Sequence, residues 1–380
     1  MCATNGGEIV KSLLVTFHAS HNHGSALQAF ATQNLLDTFH YDNTILNFQM
    51  PSQKKYYSLY GGRGGMKLRE LAMIPQHFQR RRRQERFRDF QAKYFNMTPE
   101  VNSYDQLKKL DLTRFDLMVS GADQIWSNQI PEFRQSNVDY TGVYFGDFIN
   151  TRKIAFGSST GEASVEYLKS KQELLKQYEH IAVREEAGKV KLEQFLNSKC
   201  DVVLDPTLLL SKEQYSKAFH LDSPLVDGKY IFLYTLQGVK IGKKWRSMLE
   251  ELHAKTGYKI IVVSPFFPIN GKHIININDA GPIEYVNLIK YAQIVLTDSF
   301  HGTAFSSIFR KQFFVFQKPE SQDPRKKNLL KQFGLQGRIF DQKDADVILN
   351  SPDIDYAMHE SNIQEAVKHS RMILERYLNE

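Results

Sequence analysis

This chain of 380 residues predicts an α/β fold in two domains, and three observations carry that prediction. Short apolar runs recur along it, each ending in a polar or glycine-bearing turn and followed by helical periodicity. The series restarts after Asp222-Ser223-Pro224-Leu225-Val226-Asp227-Gly228, which reads as a linker. The length exceeds what one ordinary core holds and suits two. Strands alternating with helices indicate parallel layers, whose ligands bind beyond the carboxyl ends of the strands.

In order, Ser12–Phe17 reads as a strand leading through the loop from His18 to Gly24 into a helix at Ser25–Phe39. There Leu27, Phe30, Ala31, Leu35 and Phe39 lie close to one face. Thr44–Phe48 is a second strand. Met66–Tyr94 is a long helical stretch that follows a glycine- and tyrosine-rich segment, Tyr56–Gly65. Further strands are expected at Phe115–Ser120, Lys153–Gly157, His180–Val183 and Asp201–Leu204, with a helix at Glu185–Phe195. The second series has strands at Tyr230–Leu236, Tyr258–Val263, Ile294–Thr297 and Gln312–Phe316, the last closing the sheet. Its helices are Lys243–Lys255, Pro282–Tyr291 with Gly281-Pro282 at its start, and Thr303–Phe309. Ser361–Leu378 is a final amphipathic helix.

Hydrophobic residues at 42% and aromatics at 12% exclude a disordered chain, a collagen and a disulfide scaffold. No stretch approaches the ~18 uncharged apolar residues of a membrane-spanning helix. Glu8 and Lys11 interrupt the apolar segment near the start, so no signal peptide is expected. Cys2 and Cys200 form no CxxC pair, and a cytoplasmic location is expected. The formal charge of +7 points to an anionic partner: phosphate, nucleic acid or an acidic membrane face.

Asp298-Ser299-Phe300-His301-Gly302 is the strongest local signal. A buried strand delivers a Ser, a His and a Gly to a helix's first turn, where free N–H groups favour an anion. Gly302 would let the backbone approach that anion, and His301 is the natural proton donor. The alternative is a plain helix cap with an interior histidine. Arg184, after another strand, suits bidentate binding of a carboxylate or phosphate, or a structural salt bridge to Glu185 or Glu186.

In Ser120-Gly121-Ala122-Asp123-Gln124-Ile125-Trp126, the Gly-Ala pair allows a close turn. Asp123 and Gln124 suit sugar hydroxyls, and Trp126 offers a stacking face unless it packs in the core. Asn22 and Gly24 have the same double reading. His18, His21 and His23 lie on a loop without a cysteine or carboxylate partner, so a solvated loop accounts for them and no metal is expected. No P-loop lysine motif and no GxGxxG follow the first strand, which argues against a standard NTPase or NAD enzyme. Arg80-Arg81-Arg82-Arg83, with Arg86 and Arg88, is a solvated helix face, a nucleic-acid contact or a membrane dock.

The order of these motifs is more specific than any one of them. Asn22-His23-Gly24-Ser25-Ala26-Leu27, the Ser120–Trp126 segment, Ala182-Val183-Arg184-Glu185, Val203–Leu209, Gly281-Pro282, Asp298–Gly302 and the basic stretch Arg325–Lys327 together resemble the polysaccharide pyruvyl transferase family. The likeness runs from about Ser12 to Arg338. Ala122 stands where many members have a second glycine, and Met66–Tyr94 does not align with the family's pattern.

The resemblance implies a GT-B-like enzyme of two Rossmann-like domains with parallel sheets facing a central cleft. Residues 1–222 would form the acceptor-side domain, with a basic helical insertion at about 56–94. Residues 229–350 would form the donor-side domain, and 351–380 a helical segment crossing back to the first. Such an enzyme transfers pyruvate from phosphoenolpyruvate to a sugar of a cell-surface polysaccharide or its lipid-linked precursor, forming a ketal and releasing phosphate. By the same likeness Arg184, Ser299, Phe300, His301, Gly302, Arg325 and Lys326 would bind the donor. Asn22, Asp123, Gln124 and Trp126 would bind the acceptor. His301 would be the acid and Asp123 the base, with no cofactor beyond the donor substrate. Apart from the likeness, the place of Arg80–Arg88 on a long helix beside the glycine- and tyrosine-rich loop leads to the expectation of a peripheral contact with the inner face of the membrane or with a pyrophosphate-linked lipid acceptor, and no nucleic acid is expected. The alternatives are a nucleotide-sugar glycosyltransferase of the same architecture and a non-catalytic carbohydrate- or nucleic-acid-binding protein.

Overall fold

Two sheets, each of six parallel strands, carry the chain. The computed structural model describes residues 4–5, 8–57, 76–134, 138–236, 242–265, 268–316, 324–340 and 344–380. Cys2, most of the glycine- and tyrosine-rich segment and the expected helical residues Met66–Pro75 lie outside them.

The first sheet begins with β1 (Lys11–Val15), α1 (His23–Thr38) and β2 (Asp42–Ile45). The helix starts earlier than expected because the Asn22 side chain caps it, its Oδ1 accepting from Gly24 N at 2.9 Å. After α2 (His77–Tyr94) come β3 (Leu117–Ser120), β4 (Arg152–Ser158), β5 (His180–Val183), α3 (Glu186–Glu193) and β6 (Asp201–Val202). The order across the sheet is β2-β1-β3-β4-β5-β6, with Leu13 facing Thr44 on one side and Met118 on the other. Chain connections leave β1 toward one edge and β3 toward the other, so the topological switch point lies between β1 and β3.

The second sheet is built from β7 (Tyr230–Tyr234), α4 (Gly242–Thr256), β8 (Lys259–Val263), β9 (Ile274–Asn276) and α5 (Pro282–Tyr291). It continues with β10 (Ile294–Thr297), α6 (Phe300–Ile308), β11 (Gln312–Phe316), α7 (Arg325–Gln332) and β12 (Ile339–Phe340). The order β9-β8-β7-β10-β11-β12 puts its switch point between β7 and β10. Every residue of β3 and of β7 is buried, as unbroken apolar runs require in sheets covered on both faces. Gln312–Phe316 does not close the sheet: the short β12 pairs beyond it, and β9 forms the opposite edge.

Over the described residues the chain divides into two compact units, Met1–Pro75 with Asp89–Leu209 and Glu365–Glu380, and Gln76–Arg88 with Leu210–Gln364. The division falls at Leu209 rather than in the Asp222–Gly228 segment. Residues before that segment belong with the second unit: the Tyr215 ring lies 5.0 Å from Phe305, and Lys290 donates to Leu221 O at 2.6 Å. The last helix, α8 (Glu360–Asn379), starts in the second unit, where Glu360 pairs with Arg310. Its later residues bond within the first, Ser370 accepting from Leu204 N and Arg371 donating to Leu209 O. Among the described residues no helix is long and apolar enough to cross a membrane.

Candidate active site

At the switch point of the first sheet a carboxylate is fixed from several sides. Asp123 follows β3 with φ of 68°, a left-handed conformation that non-glycine residues rarely adopt. Its Oδ2 accepts from Ser25 Oγ at 2.6 Å, and its Oδ1 accepts from Gln124 N at 2.8 Å. Its carbonyl accepts from Ser159 N at 2.8 Å, which ties the loop after β3 to the loop after β4. Gly121 makes the turn possible, since a Cβ there would lie 2.0 Å from Phe156 O.

Arg184 follows β5 in the same unit and is 5% exposed. Its partners are neither Glu185 nor Glu186. The guanidinium pairs with buried Asp205, and its Nη2 lies 3.5 Å from Asp123 Oδ1. Asp205 is itself held by Thr207, whose N and Oγ1 donate at 3.0 and 2.6 Å. Glu185 is turned to the loop after β4, its Oε1 accepting from Ser159 Oγ and Thr160 N, each at 2.9 Å. The first unit therefore brings Asn22, Asp123, Gln124 and Arg184 to one end of its sheet.

Trp126 does not belong to that group as a sugar platform. It is fully buried, its indole N–H donates to Tyr144 O at 3.0 Å, and its ring stacks on Phe145 at 5.4 Å. The three histidines go to separate neighbours. His18 is buried with Nε2 3.0 Å from Asn47 Oδ1, His21 lies 5.6 Å from the Tyr57 ring, and His23 is buried in α1. Among the described residues no group of His, Cys, Asp and Glu has a metal-holding arrangement. Burial pushes the Cys200 thiol up to about 12.

At the switch point of the second sheet the chemistry is cationic. Asp298 follows β10, and both its carboxylate oxygens are engaged, with Thr235 Oγ1 at 2.6 Å and Leu236 N at 2.8 Å. Ser299 caps α6, its Oγ accepting from Gly302 N at 3.5 Å. Phe300 and His301 are nearly buried in the first turn, their rings edge to face at 5.2 Å. Gly302 is required by its neighbour: a Cβ would lie 2.2 Å from Thr297 Oγ1. Close packing on β10 by itself requires that glycine. Of the late basic stretch, Lys326 is 6% exposed and donates to Asp298 O at 2.7 Å. The Arg325 guanidinium lies 6.0 Å from the Phe300 ring, and Lys327 is exposed.

Ser299, Phe300, His301, Gly302, Arg325 and Lys326 thus gather in the second unit, whereas Arg184 lies in the first. Sequence reasoning passed over Ser25 and Asp205 as site residues. Ser25 stands in the Asn22–Leu27 motif and Asp205 in Val203–Leu209, where Asp205-Pro206 after the strand expected at Asp201–Leu204 is the signal. The arginine run is not uniformly a solvated face. Arg86 donates to Asp279 O at 2.9 Å and pairs with the Asp279 and Glu284 carboxylates, while Arg81 pairs with Glu85 along the helix.

A family model described as polysaccharide pyruvyl transferase matches residues 22–317. No curated protein matches the chain in sequence. Among solved structures, a UDP-N-acetylglucosamine 2-epimerase is similar with a TM-score of 0.54 at 11% identity, covering 97% of this chain and 95% of its own. A Listeria monocytogenes protein, given as a candidate UDP-N-acetylglucosamine 2-epimerase, is similar with a TM-score of 0.52 at 7% identity, covering 94% and 90%. At such identities the likeness is one of fold: the architecture is GT-B-like, with two Rossmann-like units.

Proposed function

This chain belongs to the polysaccharide pyruvyl transferase family, and from that premise we propose that it transfers pyruvate from phosphoenolpyruvate to a sugar, forming a ketal across two hydroxyls. The observation that carries the reading is the turn at Asp298–Gly302. It puts His301 in the first turn of α6 at a topological switch point, and the Asp298 carbonyl in that turn holds the buried Lys326 ammonium.

The residue types match the chemistry. Protonating C3 of phosphoenolpyruvate makes C2 electrophilic, and His301 is the acid. One sugar hydroxyl adds at C2, giving up its proton to Asp123, and the C–O bond to phosphate breaks. The second hydroxyl then adds at C2 and closes the ketal, its proton leaving with the phosphate. Arg184, Lys326, Arg325 and the N–H groups of α6 would hold the carboxylate and the departing phosphate, with Ser299 and Phe300 shaping that end. Asn22, Gln124 and Asp123 would meet the acceptor, with Ser25 orienting the Asp123 carboxylate.

The acceptor in this reading is a sugar of a cell-surface polysaccharide or a polyprenyl-pyrophosphate-linked precursor, handled in the cytoplasm. Arg81 and Arg82, both exposed beside exposed Phe78, would supply any contact with an anionic membrane face.

Incubation with phosphoenolpyruvate and a panel of free and lipid-linked saccharides should release phosphate and add a ketal mass to one acceptor. Absence of both products, together with thermal protection by a nucleotide sugar and none by phosphoenolpyruvate, would overturn the proposal.

A further inference from the structure

Arg184 and Glu185 are neighbours in the chain and grip one loop from two sides. Glu185 is extended, with φ of −135° and ψ of 139°, and precedes α3 without its side chain capping that helix. Successive side chains of extended backbone point to opposite sides. Arg184 accordingly reaches Asp205 and the Asp123 carboxylate, and Glu185 reaches the loop after β4.

There one carboxylate oxygen collects four donors. Ser159 Oγ and Thr160 N donate to Oε1 at 2.9 Å, and Thr160 Oγ1 and Gly161 N at 3.4 Å. The other oxygen, Oε2, is buried and meets no donor among the described residues. Glu185 is 2% exposed. A carboxylate so deep costs free energy unless N–H and O–H groups surround it, so the donors fix the side chain and the side chain fixes the loop.

That loop in turn sets two residues of the first switch point. Ser159 N donates to Asp123 O at 2.8 Å, and Ser159 O accepts from Trp126 N at 3.3 Å, so Ser159 brackets the Asp123–Trp126 turn. These bonds help hold Asp123 at its left-handed φ of 68°. Gly161 lies against Gln124, since a Cβ on it would be 2.5 Å from Gln124 Oε1.

We infer that Glu185 is the positioning residue for the acceptor-side pair Asp123 and Gln124, fixing their turn through Ser159 and Gly161 while Arg184 meets the Asp123 carboxylate. The acceptor-side role rests on the function proposed above; the fixing of the turn does not.

Two measurements on the full chain test this. Hydrogen–deuterium exchange at the Trp126 and Ser159 amides reads the turn without substrate. Steady-state kinetics with phosphoenolpyruvate and the saccharide that accepts pyruvate read the site. Glu185→Ala should speed exchange by about tenfold or more. It should raise acceptor KM or lower turnover by about tenfold to a hundredfold, with the KM for phosphoenolpyruvate within about twofold. Glu185→Gln keeps an acceptor oxygen for the four donors and puts its amide where no donor sits, so it should stay within about threefold throughout. Glu186→Gln, on the exposed next residue, should stay within about twofold. Should Glu185→Ala not fold, Ser159→Ala removes one donor, keeps the backbone bond to Asp123, and should shift the same quantities by about threefold.

Glu185→Ala with the exchange and kinetics of the wild type would overturn the inference and leave the transferase reading standing. So would Glu185→Gln failing as fully as Glu185→Ala, which would mark the charge rather than the bonds as what acts. A rise of both KM values together with a fall in Tm would overturn it as well, by marking a packing role. A wild type that transfers pyruvate to no saccharide would remove the proposed function. About tenfold faster exchange in Glu185→Ala would then sustain the fixing of the turn, and unchanged exchange would overturn that too.

Discussion

The two units share a topology and differ in the sign of what they present. Each has six parallel strands and a switch point beside its first strand, and each gathers polar residues there. In the first unit the described residues there are mostly acidic: Asp123, Asp205 and Glu185 lie near the guanidinium of Arg184. In the second they are mostly basic: Lys326, His301, Arg325 and the start of α6, with the carboxylate of Asp298 already bonded to Thr235 and Leu236. On the proposed function, topology sets where a ligand would bind, and side-chain charge sets which ligand. An acidic, densely bonded end suits neutral hydroxyls that must lose protons. A cationic end at a helix N-terminus suits a phosphorylated acid.

The largest effect is expected where the contrast is sharpest. His301→Gln should lower turnover by about 10²–10⁴-fold, measured as phosphate release, if the cationic end supplies the acid. Near-normal turnover would leave that end a binding site only. Next, Asp205→Ala strands a buried Arg184 and should destabilise the first unit by about 3–5 kcal/mol in denaturant unfolding. A loss below about 1 kcal/mol would mean Arg184 is held chiefly by other groups.

A smaller change is expected from Ser25→Ala, which removes the 2.6 Å donor to Asp123. Turnover should fall about tenfold, with the KM for phosphoenolpyruvate within about twofold. A rise in that KM with acceptor KM unchanged would put Asp123 on the donor side and erase the division of labour. The smallest effect belongs to Trp126→Phe. It should cost about 1 kcal/mol through the bond to Tyr144 O and leave acceptor KM unaltered, and a raised acceptor KM would restore its sugar-stacking role.

Elements with strong local patterns were legible. His180–Val183, Pro282–Tyr291, Ile294–Thr297 and Gln312–Phe316 have the bounds expected of their apolar runs and flanking turns. The edge strands Ile274–Asn276 and Ile339–Phe340 were not, because two or three residues carry no periodicity of their own. Likewise Arg184 was visible as a charge at a strand end. Its partners were not visible, since Asp123 and Asp205 come from distant positions.

The amino-acid order alone determined the fold class, the family resemblance and the motifs at strand ends, because these rest on residues near one another in the chain. Tertiary structure decided the rest. It turned Trp126 into the core, gave Gly302 to Thr297, and set Arg86 against Asp279 and Glu284, with Arg82 also on Asp279, while Arg81 paired with Glu85 along the helix. Burial and ion pairing act through space, over a few ångströms, and a residue's type does not record which neighbour will be brought there.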